Sequence, residues 1–106
     1  YAGKFPLWLA PTQICIMPIN QKQNDYAEEI KEEMKKNDFR TEIDLRNEKI
    51  GSKIRDHTLK KVPYLIIVGD REVSSKEIAV RTQKGEDLGN MKLKDFLKSI
   101  KKELVI

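Results

Sequence analysis

The chain has 106 residues, the length of one domain with one modest core. Hydrophobic residues make up 39% and fall into patterned runs, which excludes a disordered chain, and the single cysteine, Cys15, excludes an intramolecular disulfide and a cysteine-built zinc site. The net charge of +4 is concentrated: Arg46, Lys49, Lys53, Arg55, Lys60 and Lys61 stand against Glu48 and Asp56, an excess equal to that of the whole chain. A positive field between neutral flanks is what a polyanion-binding surface needs.

In chain order, residues 4–11 form an apolar segment broken by Pro6 and Pro11. It reads as an extended linker whose Phe5 and Trp8 pack against a preceding domain. The opening residues lack the basic start and long apolar stretch of a signal peptide. No run is long enough to span a bilayer. The chain does not begin with Met and is expected to be cut from a longer protein, with residues 1–11 as linker and 12–106 as the domain. Residues 13–19 predict a short buried strand that holds Cys15 as a small core residue. Asn20 and Gln23 have the spacing of a capping box. Tyr26, Ala27, Ile30 and Met34 then repeat at helical spacing, with the helix ending near Asn37–Asp38. Its Glu-rich outer face argues against phosphate contact.

Thr41–Leu45 predicts a second strand. Residues 50–61 predict a second helix, with Ile50, Ile54, Thr58 and Leu59 on one side. Tyr64–Val68 is a continuous apolar run, as expected of a central strand buried on both faces. Gly69-Asp70 reads as a turn. Residues 77–82 alternate, with Ile78 and Val80 on one face and Ala79 and Arg81 on the other. Gly85 and Gly89 bracket a loop or short edge strand. Leu93, Phe96, Leu97, Ile100 and Leu104 predict a third amphipathic helix. The order predicts an α/β domain with a mixed sheet and helices on its faces.

Chemistry-bearing patterns are few. The five glycines form neither GxGxxG nor a P-loop. His57 is the only histidine and has no nucleophile to serve; it reads as a helix-surface or capping residue. Asp44 and Glu48 could be taken for an acid–base pair, but in so charged a chain they read as solvated or ion-paired. The basic stretch remains, where Lys and Arg would neutralise phosphates and polar neighbours would read bases.

The run from Asp44 to Tyr64, above all Leu45-Arg46-Asn47-Glu48-Lys49-Ile50-Gly51, closely resembles the C-terminal anticodon-binding domain of bacterial threonyl-tRNA synthetases. Val68–Val73, Ala79–Thr82 and Asp87–Gly89 resemble it too, and Phe5–Pro11 resembles the family's junction with its catalytic core. The looser pattern, Asp, Arg, Glu, Gly and Lys ahead of a Pro-started strand, is shared by the prolyl and other class IIa synthetases. The resemblance implies a five-stranded mixed sheet flanked by three helices, the class IIa anticodon-binding domain fold. It implies a parent enzyme that joins threonine to its tRNA with ATP, with zinc in a catalytic core that this chain lacks. No cofactor and no catalytic residue are then expected here. The implied partners are threonine tRNA and the parent's own catalytic core, not DNA or a membrane. The parent is expected to be a cytoplasmic homodimer and the fragment a monomer.

The same resemblance carries the family's anticodon-reading positions onto Asn47, Lys61, Glu72 and Arg81. An amide at Asn47 offers a donor and an acceptor to a base edge. Ionised Glu72 is acceptor-only and suits guanine, which fits a family that reads G and U at the second and third anticodon positions. Arg81 can stack or fork onto acceptors. Bacterial members often have Arg where Lys61 stands; Lys keeps the charge and loses the fork. Each also has a plainer reading: Asn47 as a cap of the second helix, Glu72 as a turn residue, Arg81 and Lys61 as solvated surface. Arg46, Lys49, Lys53 and Arg55 are weaker candidates for contact with the RNA backbone, and Lys53 and Arg55 should point in different directions on a helix. A domain of the same fold that has lost RNA reading and serves as a protein-interaction or accessory module is the alternative.

Overall fold

The computed structural model describes residues 10–104, and of the last helix the side chains only through Lys101. The segment from Phe5 to Leu9 and the side chain of Leu104 lie outside the described residues. The strands are β1 (Ile14–Pro18), β2 (Thr41–Ile43), β3 (Tyr64–Val68), β4 (Glu77–Thr82) and β5 (Asp87–Lys92). The helices are α1 (Asn24–Lys36), α2 (Ile50–Leu59), α3 (Asp70–Ser75) and α4 (Leu93–Leu104). The strands make one sheet in the order β2-β1-β3-β4-β5, with β1, β2 and β3 parallel and β4 and β5 antiparallel. This is the predicted five-stranded mixed sheet. Among the described residues the α-helices number four rather than three. The extra one, α3, occupies the expected turn at Gly69-Asp70, and the Glu72 carboxylate closes its start by accepting from the Gly69 N–H.

Because β1 lies between β2 and β3, the two crossovers lead to opposite sides of the sheet. α1 and α4 cover one face, where Ile14, Ile16, Ile30, Met34, Ile66, Val68, Ile78, Val80, Phe96 and Ile100 form the larger core. Each fully buried aliphatic or aromatic side chain there contributes about 1.5–3 kcal/mol. α2 covers the other face, where its Ile50 and Ile54 pack on the smaller core of Cys15, Met17, Val62 and Leu65. Leu59, expected on the packed side, is 75% exposed; Lys53 and His57 take the inward positions instead. Cys15 is fully buried, and burial pushes its thiol up to about 12.

Two helix ends repeat one device. After α1, Phe39 N–H donates to Met34 C=O and Asp38 N–H to Lys35 C=O; after α2, Val62 N–H donates to His57 C=O and Lys61 N–H to Thr58 C=O. Both are Schellman motifs, and both place a non-glycine, Asp38 or Lys61, at the left-handed position with φ of 66° or 60°. At the sheet edge a bulge falls where the β4–β5 register slips between Val80 and Arg81, with Gly89 supplying the positive φ of 80°.

Candidate nucleic-acid interface

The junction between β2 and α2 is organised by Asp44. Its N–H extends the β1 pairing by donating to Ile16 C=O at 2.9 Å. Its carboxylate accepts from Arg46 Nε at 2.9 Å and Nη2 at 2.7 Å and lies 2.8 Å from His57 Nε2, while its carbonyl accepts from Lys53 Nζ at 3.0 Å. The Arg46 guanidinium also reaches Asp56 at 2.9 Å. Arg46 and His57 together hold the Asp44 carboxyl well below the usual carboxylate range, against the opposing effect of burial. His57 is therefore neither a surface nor a capping residue. It is 4% exposed, paired with Asp44, and its Nδ1 has no partner among the described residues. Lys53 is also internal, its ammonium on the carbonyls of Pro18 and Asp44, while Arg55 is exposed on the outside of the same helix. The two do point apart, as their helical spacing requires.

This junction fixes the loop that carries Asn47. Asp44 accepts from the Arg46 N–H, holding the chain in a tight turn, and Asn47, Glu48 and Lys49 project as exposed residues. The cap of α2 is Lys49, which makes no side-chain cap bond, so Asn47 is not the cap. Asn47 stands on the rim of a cleft of about 440 Å³ between the β1–α1 segment and the β2–α2 loop. The cleft lies outside the carboxyl ends of β1 and β2, the side of an open α/β sheet where ligands bind.

Glu72 lies at the same end of the sheet but is 8% exposed. One carboxylate oxygen accepts from Gly69 N–H and the other from Asn90 Nδ2, both at 2.8 Å. Asn90 pairs with Ala79 across β4–β5, and Arg81 is two residues along β4, so the three side chains share one face of the sheet. On that face Ile67, Ala79 and Arg81 are only partly buried, whereas their alternating neighbours Ile66, Val68, Ile78 and Val80 are fully buried. Among the described residues Arg81 Nε is buried without a partner, and Nη2 makes a 3.5 Å contact to Gly85 C=O.

Lys61 is exposed and lies at the opposite end of β3, beside a hollow formed with Ala10, Thr12 and Glu42. Asn47 and Lys61 thus flank the two ends of α2, about 15 Å apart along its axis. Glu72 and Arg81 line the half-open sheet face. The structure does not gather the four residues into one pocket; it distributes them around the side of the sheet that bears α2. Among the described residues no group of three His, Cys, Asp or Glu side chains is placed to hold a metal.

A family model described as an anticodon binding domain matches residues 13–103. This chain belongs to the anticodon-binding domain family. Among solved structures, the RNA binding domain of threonyl-tRNA synthetase from Cryptosporidium parvum Iowa II superposes with a TM-score of 0.88, covering 96% of this chain and 26% of that one. At 24% identity this likeness speaks for the fold. Two structures of prolyl-tRNA synthetase from Cryptosporidium parvum, one complexed with halofuginone and AMPPNP and one with L-proline and AMP, give a TM-score of 0.84 at 26% identity. They cover 95% of this chain and 22% of those. The chain spans about a quarter of the length of these relatives.

Sequence reasoning missed two features of this anticodon-binding domain. The first is Asn90, which holds one oxygen of Glu72; its position opposite Ala79 depends on the bulge, which no local pattern announces. The second is the Asp44–Arg46–His57–Lys53 junction. Its signal was present, since Lys53 and His57 are four apart and share a helix face with the apolar Ile50 and Ile54 on either side. A polar pair on the packed side of a helix needs a partner at the strand end it faces.

Proposed function

We propose that this anticodon-binding domain reads the anticodon of threonine tRNA, as the C-terminal part of a bacterial-type threonyl-tRNA synthetase. The observation that carries the reading is the string Leu45–Gly51, which presents Asn47 exposed and with no hydrogen-bond partner among the described residues. Threonyl and prolyl relatives match the fold about equally, so the parent's specificity rests on that string. In this reading Asn47, Glu72 and Arg81 address bases, Lys61 contacts a phosphate or a single acceptor, and Lys49 and Arg55 meet the RNA backbone. Arg46 and Lys53 act mainly by holding the loop. The chain itself does no chemistry; the parent, a cytoplasmic homodimer, ligates threonine to its tRNA with ATP and carries zinc in its catalytic core. Residues 1–11 are the link to that core.

The test is a titration of the domain with three anticodon stem-loops: one bearing the threonine anticodon, one altered at the second anticodon base, and one bearing the proline anticodon, which differs at the third. Discrimination of about tenfold or more against both variants is expected, one good base contact being worth about 1–3 kcal/mol. Equal binding of all three would sink the reading role and leave an accessory module. Preference for the proline loop would reassign the parent.

A further inference from the structure

Glu72 is held from two sides. It is 8% exposed, and one carboxylate oxygen accepts from Gly69 N–H while the other accepts from Asn90 Nδ2, each at 2.8 Å. The two bonds do different things. The first closes the start of α3. The second serves no element: it ties an exposed side chain of the edge strand β5 to a carboxylate on the half-open face. A carboxylate held by one oxygen can still turn about its last bond, whereas a bond on each oxygen fixes its plane. The polarity of the amide is fixed as well. An ionised carboxylate only accepts, so the nitrogen of Asn90 has to face it. A carboxylate has about four acceptor positions, and these bonds use one on each oxygen. One acceptor on each oxygen is left, side by side, which suits a base edge that presents two neighbouring donors.

We propose that Asn90 is a positioning residue for base reading: it fixes the plane of the Glu72 carboxylate, so that the two remaining acceptors are ordered before the second anticodon base arrives. This role rests on the RNA-reading function above. Asn90 acts through Glu72 and needs no contact with RNA of its own. Ordering Glu72 in advance strengthens binding only where Glu72 bonds the base, because only there would the side chain otherwise lose its freedom on binding. The matched anticodon therefore gains and a mismatched one does not.

The experiment measures the affinity of the chain for the threonine stem-loop and for the stem-loop altered at the second anticodon base. Asn90→Ala should weaken the threonine loop about two- to tenfold, the cost of ordering one long side chain on binding, and leave the altered loop unchanged. Asn90→Asp, which has no N–H to give and sets a second negative charge against the first, should lower the ratio at least as far. Asn90 is exposed, so the melting temperature of either variant should move by no more than a few degrees. In a Glu72→Ala background, where there is no carboxylate to fix, Asn90→Ala should leave the ratio as it stands. A wild type that binds both loops equally sinks the reading function and this role with it. A wild type that discriminates while Asn90→Ala keeps the same ratio overturns the positioning role alone. So does an equal loss on both loops, which would make Asn90 a general contact or a fold residue, and so does an undiminished effect in the Glu72→Ala background.

Discussion

At the scale of the residue, Asp44 illustrates how one buried carboxylate can fix the shape of the loop proposed to meet RNA. Its carboxylate, almost wholly buried, joins Arg46 and His57 while its backbone joins β1 and Lys53. Asp44→Asn retains the shape and removes the charge, which should cost about 2–3 kcal/mol by the usual worth of hydrogen bonds to an ion. The linkage has a definite sign. A carboxyl whose folded pKa lies below its unfolded value of about 3.9 stabilises fully above that value, and the contribution is lost as pH falls through the folded pKa. Urea denaturation at pH 7 and pH 3 should therefore show the wild type losing more stability on acidification than Asp44→Asn. Equal losses would mean that the pair with Arg46 contributes nothing. Cys15 makes a simpler case. Buried completely and with its thiol pushed up to about 12, it should resist alkylation at pH 8 in the native chain and react at once in denaturant. Native labelling at the free-thiol rate would contradict its placement in β1.

At the scale of the element, α2 ends with Lys61 in the left-handed conformation that glycine usually fills. Nothing in the packing demands a lysine there, since the Schellman hydrogen bonds are made by backbone and the side chain is exposed. Lys61→Gly should raise stability by about 0.5–1 kcal/mol. If Lys61 touches a phosphate, the same change should flatten the log affinity–log salt slope for a stem-loop by about 0.7. A variant that is more stable with an unchanged slope would remove Lys61 from the interface. Elements were the most legible part of the sequence. Tyr64–Val68 was readable as a central strand to the residue, because a continuous apolar run has few other homes, and Asn20–Gln23 was readable as a capping box. The second helix was misread at Leu59, where one exposed leucine mimicked a packed position, and at His57, whose partner is distant in sequence. α3 was missed because six residues opening on Gly-Asp look locally like a turn.

At the scale of the whole molecule, the proposed reading divides the sheet between stability and recognition. One face carries the larger core under α1 and α4, and its β4 residues, Ile78 and Val80, were legible from the alternation of apolar residues. The other face is covered by α2 only in part, leaving Ala79, Arg81 and Asn90 on a half-open surface. That openness was not legible, since it depends on where α2 lies and on the bulge at Arg81. In that reading neighbouring residues of β4 have opposite duties, which makes the division testable within a single strand. Ile78 is fully buried in the larger core, so Ile78→Ala should cost about 2–5 kcal/mol. At about 4–8 °C per kcal/mol for a domain of this size, the melting temperature should fall substantially. Measured well below that transition, its stem-loop affinity and base discrimination should match the wild type. Ala79→Glu places a carboxylate beside Asn90 and Arg81 on the half-open face, at a position that is only partly buried. Its melting temperature should move by no more than a few degrees, as for an ordinary surface substitution. Its stem-loop affinity should fall by at least about tenfold, because a fixed negative charge then faces the phosphates. If Ile78→Ala weakened binding in the fully folded protein, or Ala79→Glu left binding intact, the half-open face would not be the surface that meets RNA, and recognition would have to lie wholly in the loop that carries Asn47.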